Sequence, residues 1–138
     1  MNNRNDQILF VDADFENQLL MSRIIQHAGY VCHTAADLSQ ATDLIHEHEY
    51  ALLLTTITAE TAAGAFTFIR EQKAQSAQTA VIALLHHKDS HLQEKAFLAG
   101  CDGHFAKPAD IRQIQTLLNE MMAETAVVPQ ETTLIAAD

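Results

Sequence analysis

The side chains with most chemistry cluster at the ends of short apolar runs. Asp12-Ala13-Asp14 closes one run and Thr55-Thr56 another, His86-His87 follows a third after Leu85, and Lys107-Pro108 follows a fourth. Two carboxylates one residue apart are oxygen donors suited to a divalent cation. His87 and His91 stand four apart and share a face if the segment is helical; with His86, Asp12 and Asp14 they make a candidate transition-metal set. Each group also has a plainer role, and the plainer role is preferred. Asp14 is placed to cap a following helix. Thr56 is a possible kinase substrate, but a hydroxyl ending a buried strand ordinarily only hydrogen-bonds. Exposed histidines on a polar helix need no metal. No metal is therefore expected, and Asp12 and Asp14 are the residual candidates. The chain has 8 histidines, whose full protonation would bring the formal charge from −10 to −2; their spacing singles out no sensor. Cys32 and Cys101 have neither CxxC nor zinc-ligand spacing and are expected to be free, partly buried thiols.

The elements that must hold these groups follow from apolar periodicity and from the scarce Gly and Pro. Gly29, Gly64, Gly100 and Gly103, with Pro108 and Pro129, are read as breaks between periodic segments. Strands are expected at Gln7–Val11, Tyr30–Thr34, Ala51–Thr56, Ala80–Leu85 and Gly103–Ala106. Helices are expected at Phe15–Ala28, Leu38–Glu49, Ala65–Gln75, His87–Ala99 and Ala109–Ala123. In the first helix Phe15, Leu19, Leu20, Ile24 and Ala28 recur at helical spacing; in the last, Ile111, Ile114, Leu118 and Met121 form a stripe read as core. The runs Ala51–Thr56 and Ala80–Leu85 lack polar alternation, as strands covered on both faces do. Five βα units of this kind imply a parallel sheet with helices on both faces, whose functional crevice lies beyond the carboxyl ends of the strands.

The 138-residue length suits one domain, taken as residues 1–124, with 125–138 as a tail or the start of a linker. A hydrophobic content of 48% with 19% charged residues is that of a globular chain. The net charge of −10 opposes direct nucleic-acid or anionic-membrane binding. No apolar run approaches the ~18 residues of a membrane span, and a reducing, cytoplasmic location is expected.

The stretches ILFVDAD, HAGYVCHTAAD, VIALL and above all AGCDGHFAKPAD resemble the receiver domain of bacterial two-component response regulators, over about residues 6–124. The resemblance implies a flavodoxin-like (βα)5 doubly wound sheet with strand order 2-1-3-4-5. It also implies a site in which an aspartate ending the third strand takes a phosphoryl group from a kinase histidine. Two acidic residues after the first strand would hold Mg²⁺, a Thr or Ser would end the fourth strand, and a Lys before Pro would bind the phosphoryl oxygen. Carried over position by position, Asp12 and Lys107 match. Ala13 stands where the direct metal ligand is expected, Thr56 at the acceptor, Leu85 at the switch hydroxyl, Glu60 at the usual Pro of the next loop, and His104 at the aromatic switch position. The resemblance also suggests a cis Lys107-Pro108 bond.

The set of departures points to a degenerate receiver with weak or absent Mg²⁺ binding and no cofactor, in which an Asp12–Lys107 ion pair replaces the metal–phosphoryl network. Such a domain would act as a phosphorylation-independent protein-interaction module. Its expected partners are a signalling protein, a histidine kinase or its own output domain, or a second copy in a homodimer. His91, Glu94, Lys95, His104 and Gln113 are candidates for that contact face. The rivals are an active phosphoreceiver using Asp12 or Asp14, and a flavodoxin-like ligand binder, which the lack of a Gly-rich loop after the first strand disfavours. No Cys/His or Ser/His/Asp arrangement suggests an enzyme.

Overall fold

The computed structural model describes residues 6–76, 78–86, 90–107 and 111–125. Among these, strands and helices alternate: β1 (Gln7–Val11), α1 (Phe15–His27), β2 (Val31–Ala35), α2 (Leu38–Glu47), β3 (Leu52–Thr56), α3 (Ala62–Gln75), β4 (Ala80–His86), α4 (Ser90–Ala99), β5 (Gly103–Lys107) and α5 (Ile111–Thr125). The strands form one parallel sheet in the order β2-β1-β3-β4-β5. This is the flavodoxin-like doubly wound topology expected from the periodicity and the resemblance.

Strand side chains alternate between two cores, one on each side of the sheet. Leu9, Val11, Leu53, Val81, Ala83 and Leu85 pack with residues of α2, α3 and α4. Ile8, Phe10, Leu52, Leu54, Ile82 and Leu84 pack against α1 and α5. Both sides of the central strands are buried, which is why their sequences show no polar alternation.

Helix ends follow local chemistry. Asp14 caps α1, its Oδ1 accepting from the Glu16 N–H at 2.8 Å and the Asn17 N–H at 3.4 Å. Gly29 follows α1 at φ +98° and Gly100 follows α4 at +111°, left-handed positions that stop a helix at least cost when the residue is glycine. Gly64, expected at a break, instead lies inside α3, which begins three residues earlier than the spacing predicts. The helix α2 stops at Glu47 because His48 is extended, with φ −137° and ψ 154°.

Two apolar stripes face differently from the sequence expectation. In α1 the buried residues are Met21, Ile24 and Ile25, whereas Phe15, Leu19 and Leu20 are exposed (71%, 45% and 56%). The inner face of this helix opens with Asn17 and Gln18, because that face meets the polar loop after β1: the Gln18 Nε2 amide donates to the Asp12 carbonyl at 2.7 Å. In α5 Ile114, Leu117, Leu118 and Met122 are buried, and Ile111, the first residue of the helix, is half exposed. Residues 126–138, most of the expected tail, together with His87, Pro108 and Ala109, lie outside the described residues.

At the end of the sheet away from the crevice, Asp102 ties three segments together. Its Oδ2 accepts from the Val81 N–H at 2.7 Å and from Lys73 Nζ at 2.9 Å, and Lys73 also donates to the Thr79 carbonyl at 3.0 Å.

Candidate functional site

The chain leaves β1 toward one edge of the sheet and returns through β3 on the other side, so a crevice opens where the carboxyl ends of β1 and β3 meet. Asp12 lies at its floor, only 5% exposed. Its backbone N–H still donates to the Ala35 carbonyl at 3.0 Å, which continues the β1–β2 ladder and fixes the residue's orientation.

The Asp12 carboxylate collects donors from three directions. The Asp14 N–H reaches Oδ1 at 2.8 Å, and the Thr56 hydroxyl reaches Oδ2 at 2.8 Å. The Asn17 Nδ2 amide spans both oxygens at 3.5 and 3.4 Å. A buried carboxylate is tolerated when donors of this kind replace its water. Thr56 comes from the last position of β3, where alternation turns its side chain toward the crevice. Thr55, one residue earlier, is 1% exposed, and its Oγ1 has no hydrogen-bond partner among the described residues.

The other sequence-predicted positions divide clearly. Ala13 is exposed and its side chain offers no ligand atom. Asp14 is exposed and its Oδ1 serves the α1 cap, as expected. Leu85 is fully buried in the core on the α2–α4 side. Lys107 closes β5 opposite His86, but the Lys107 and His86 side chains lie outside the described residues, as do the predicted Asp12–Lys107 pair, the His87–His91 pair and the Lys107-Pro108 bond. His91, Glu94 and Lys95 on α4, His104 on β5 and Gln113 on α5 are exposed. Among the described residues no group of three or more His, Cys, Asp or Glu is gathered to hold a metal ion. Both thiols are free; burial raises each, Cys101 to about 11, so neither is a ready nucleophile.

Asn17 and Gln18 are the site residues that the sequence reading missed. Their signal was present: two amides in the first turn of a helix capped by Asp14 point back at the preceding loop.

The response regulator receiver domain family matches residues 8–119. The chain belongs to that family. Transcriptional regulatory protein ZraR of Escherichia coli O157:H7 is 24% identical over 137 residues, covering 99% of this chain and 31% of that protein. Sporulation initiation phosphotransferase F of Bacillus subtilis (strain 168) is 24% identical over 118 residues, 86% of this chain and 94% of that protein. A solved signal receiver domain of an HD domain-containing protein from Pseudomonas fluorescens Pf-5 superimposes with a TM-score of 0.79 at 23% identity, covering 91% of this chain and 92% of the other. The chain thus spans under a third of the first of these relatives and nearly all of the second. It is a receiver domain of two-component signalling. No described helix of the receiver domain is long and apolar enough to cross a membrane.

Proposed function

We propose that this receiver domain is a degenerate one that acts without phosphorylation, as a protein-interaction module. The observation that carries the reading is the 2.8 Å hydrogen bond from the Thr56 hydroxyl to Asp12 Oδ2 across the β1–β3 crevice. Thr56 stands at the acceptor position of the family. Transfer to a hydroxyl would give a stable phosphate ester, whereas transfer to a carboxylate gives a labile acyl phosphate. A phosphoryl group on Thr56 would also sit against the Asp12 carboxylate with like charge.

The donor set does not fit Mg²⁺. That ion requires near-octahedral oxygen ligation, yet Ala13 has no oxygen on its side chain, Asp14 Oδ1 is engaged at the helix cap, and Asp12 is occupied by the Asp14 N–H, Asn17 and Thr56. A cation would have to displace these donors. The buried leucine at position 85 supplies no hydroxyl to follow a phosphoryl group. Output in this reading comes from a standing surface or from a partner that shifts a conformational equilibrium. The exposed Phe97 and Leu98 on α4 (75% and 71%) and His104 on β5 lie on elements proposed as that surface, for a signalling partner or a second copy.

An NMR titration of the labelled protein with Mg²⁺ and then beryllofluoride tests the reading. Amides of Asp12, Thr56 and Lys107 are expected to stay still at millimolar metal. Shifts there that spread to Leu85 and His104 would mean a working switch. Label from acetyl phosphate that is lost in D14A or D12N would revive the rival phosphoreceiver.

A further inference from the structure

Far from the crevice in sequence terms, three rings meet at the edge of the sheet. His33 Nδ1 lies 2.6 Å from the Tyr50 hydroxyl. The His33 and His48 rings pack edge to face with centroids 4.7 Å apart, and Tyr50 stands 5.5 Å from His33 and 6.0 Å from His48. Each ring belongs to a different segment: His33 to the edge strand β2, His48 to the extended residue that ends α2, and Tyr50 to the turn that leads into β3. Tyr50 is 5% exposed and is part of the core shared by Leu9, Leu53 and Ala41. The edge strand β2 pairs with β1 alone, so a side-chain tie to the β3 turn supplements a ladder that has no partner on its outer side.

We propose that the His33–Tyr50–His48 cluster is a proton-operated latch that holds β2 and the end of α2 to the turn before β3 while both imidazoles are neutral, and releases them on acidification. The phenol is held in its protonated form, its pKa pushed up to about 12 by burial, with Cys32 and Glu47 adding to the shift. The latch uses the tautomer in which the phenol donates and neutral His33 accepts at Nδ1, with its own hydrogen on Nε2, an assignment that the 2.6 Å contact permits. A proton added at Nδ1 meets the phenol O–H head on, so the bond must reverse and the phenol hydrogen must find another acceptor. If His48 is also charged, two imidazolium rings face each other across 4.7 Å.

Few surrounding groups oppose this. From β2 comes Cys32, whose thiol burial keeps protonated. From α2 come His46 and Glu47, both exposed, so solvent weakens the attraction that Glu47 exerts on a cation. From the turn comes Glu49, exposed, whose carbonyl takes the Gln7 Nε2 amide of β1 at 3.4 Å. Asp6 precedes β1 and its carbonyl accepts from Val31. On the β4 side, the Thr79 hydroxyl donates to the Tyr50 carbonyl at 2.8 Å, a neutral contact. Burial, with the neighbouring His48 charge second, holds His33 below the ordinary histidine value of 6.5. The sign follows: the latch contributes fully above the unfolded value, and its contribution falls as pH drops through 6.5 toward the folded value.

Histidine ring NMR on the full chain, with thermal melts at about pH 7.5 and about pH 5.5, tests the latch. His33 is expected to titrate below its ordinary value and to move upward in H48Q and in Y50F, which remove the repelling charge and the donated bond. Acid should shift amides of β2 and of residues 44–51 while Asp12 and Thr56 stay still. The acid loss of melting temperature should be smaller in H48Q than in the unchanged protein. A His33 that titrates at or above the ordinary value, or that ignores both substitutions, overturns the proposal, as does an acid loss of equal size in H48Q. Because His48 and Tyr50 are probed separately, a variant that fails to fold leaves the other to decide.

Discussion

A threonine hydroxyl aimed at a buried carboxylate can be judged by removing it. T56V keeps the shape and deletes the donor at 2.8 Å from Asp12 Oδ2, so it should cost about 1–3 kcal/mol in urea unfolding, the range for a buried polar group that loses a partner. T56S should recover most of that loss. The Asn17 amide is longer at 3.4–3.5 Å, and N17A should cost less than T56V. D14A removes the α1 cap and should cost about 1 kcal/mol; an unchanged midpoint would mean that the cap does not hold the helix start. At the thiols, burial raises both Cys32 and Cys101. Labelling by a thiol reagent at neutral pH should be slow in the folded protein and fast in urea, and fast labelling of the native protein would contradict the burial.

Elements here are positioned by a few contacts at their ends. Gly29 turns the chain out of α1 at φ +98° with open space where a side chain would be. G29A should therefore cost about 1 kcal/mol through backbone strain alone, with no packing penalty. Asp102 is the opposite case, because it serves both the Val81 N–H and Lys73. D102A strands a backbone donor at the start of β4 and should cost about 1–3 kcal/mol in denaturant unfolding. That loss should change little with salt, since the backbone bond, and not the half-exposed Lys73 pair, carries most of it. The α1 helix shows how an end contact sets a face: Asp14 and Gln18, both bound to the loop after β1, choose the rotation that buries Met21, Ile24 and Ile25 and leaves Phe15 and Leu19 outside.

At the level of the whole molecule, exposed apolar side chains mark where the domain can meet another protein. Phe97 and Leu98 on α4 contribute nothing to the core, so a F97D/L98D double substitution should leave the melting temperature nearly unchanged. Under the interaction-module reading the same double substitution should shift sedimentation toward the monomer at high protein concentration; equal sedimentation would move the self-contact to another face. The net charge of −10 makes every such association sensitive to ionic strength, with repulsion between copies relieved by salt.

Element order, fold class and the strand ends that meet at the crevice could be read from the chain alone. Apolar period and glycine breaks are local properties, and the parallel βα rule then places Asp12, Thr56 and Lys107 at carboxyl ends of strands. The rotation of α1 was not legible, because Phe15–Leu19 and Met21–Ile25 both satisfy a 3.6-residue period and the choice depends on what the helix meets. Nor was the set of donors around Asp12, where Thr56 arrives from 44 residues away. The ring cluster was hidden for the same reason: His33 and Tyr50 are 17 residues apart with no shared spacing signal. Each of these contacts exists because crossovers bring separate strands side by side, and their chemistry appears when the sheet closes around them.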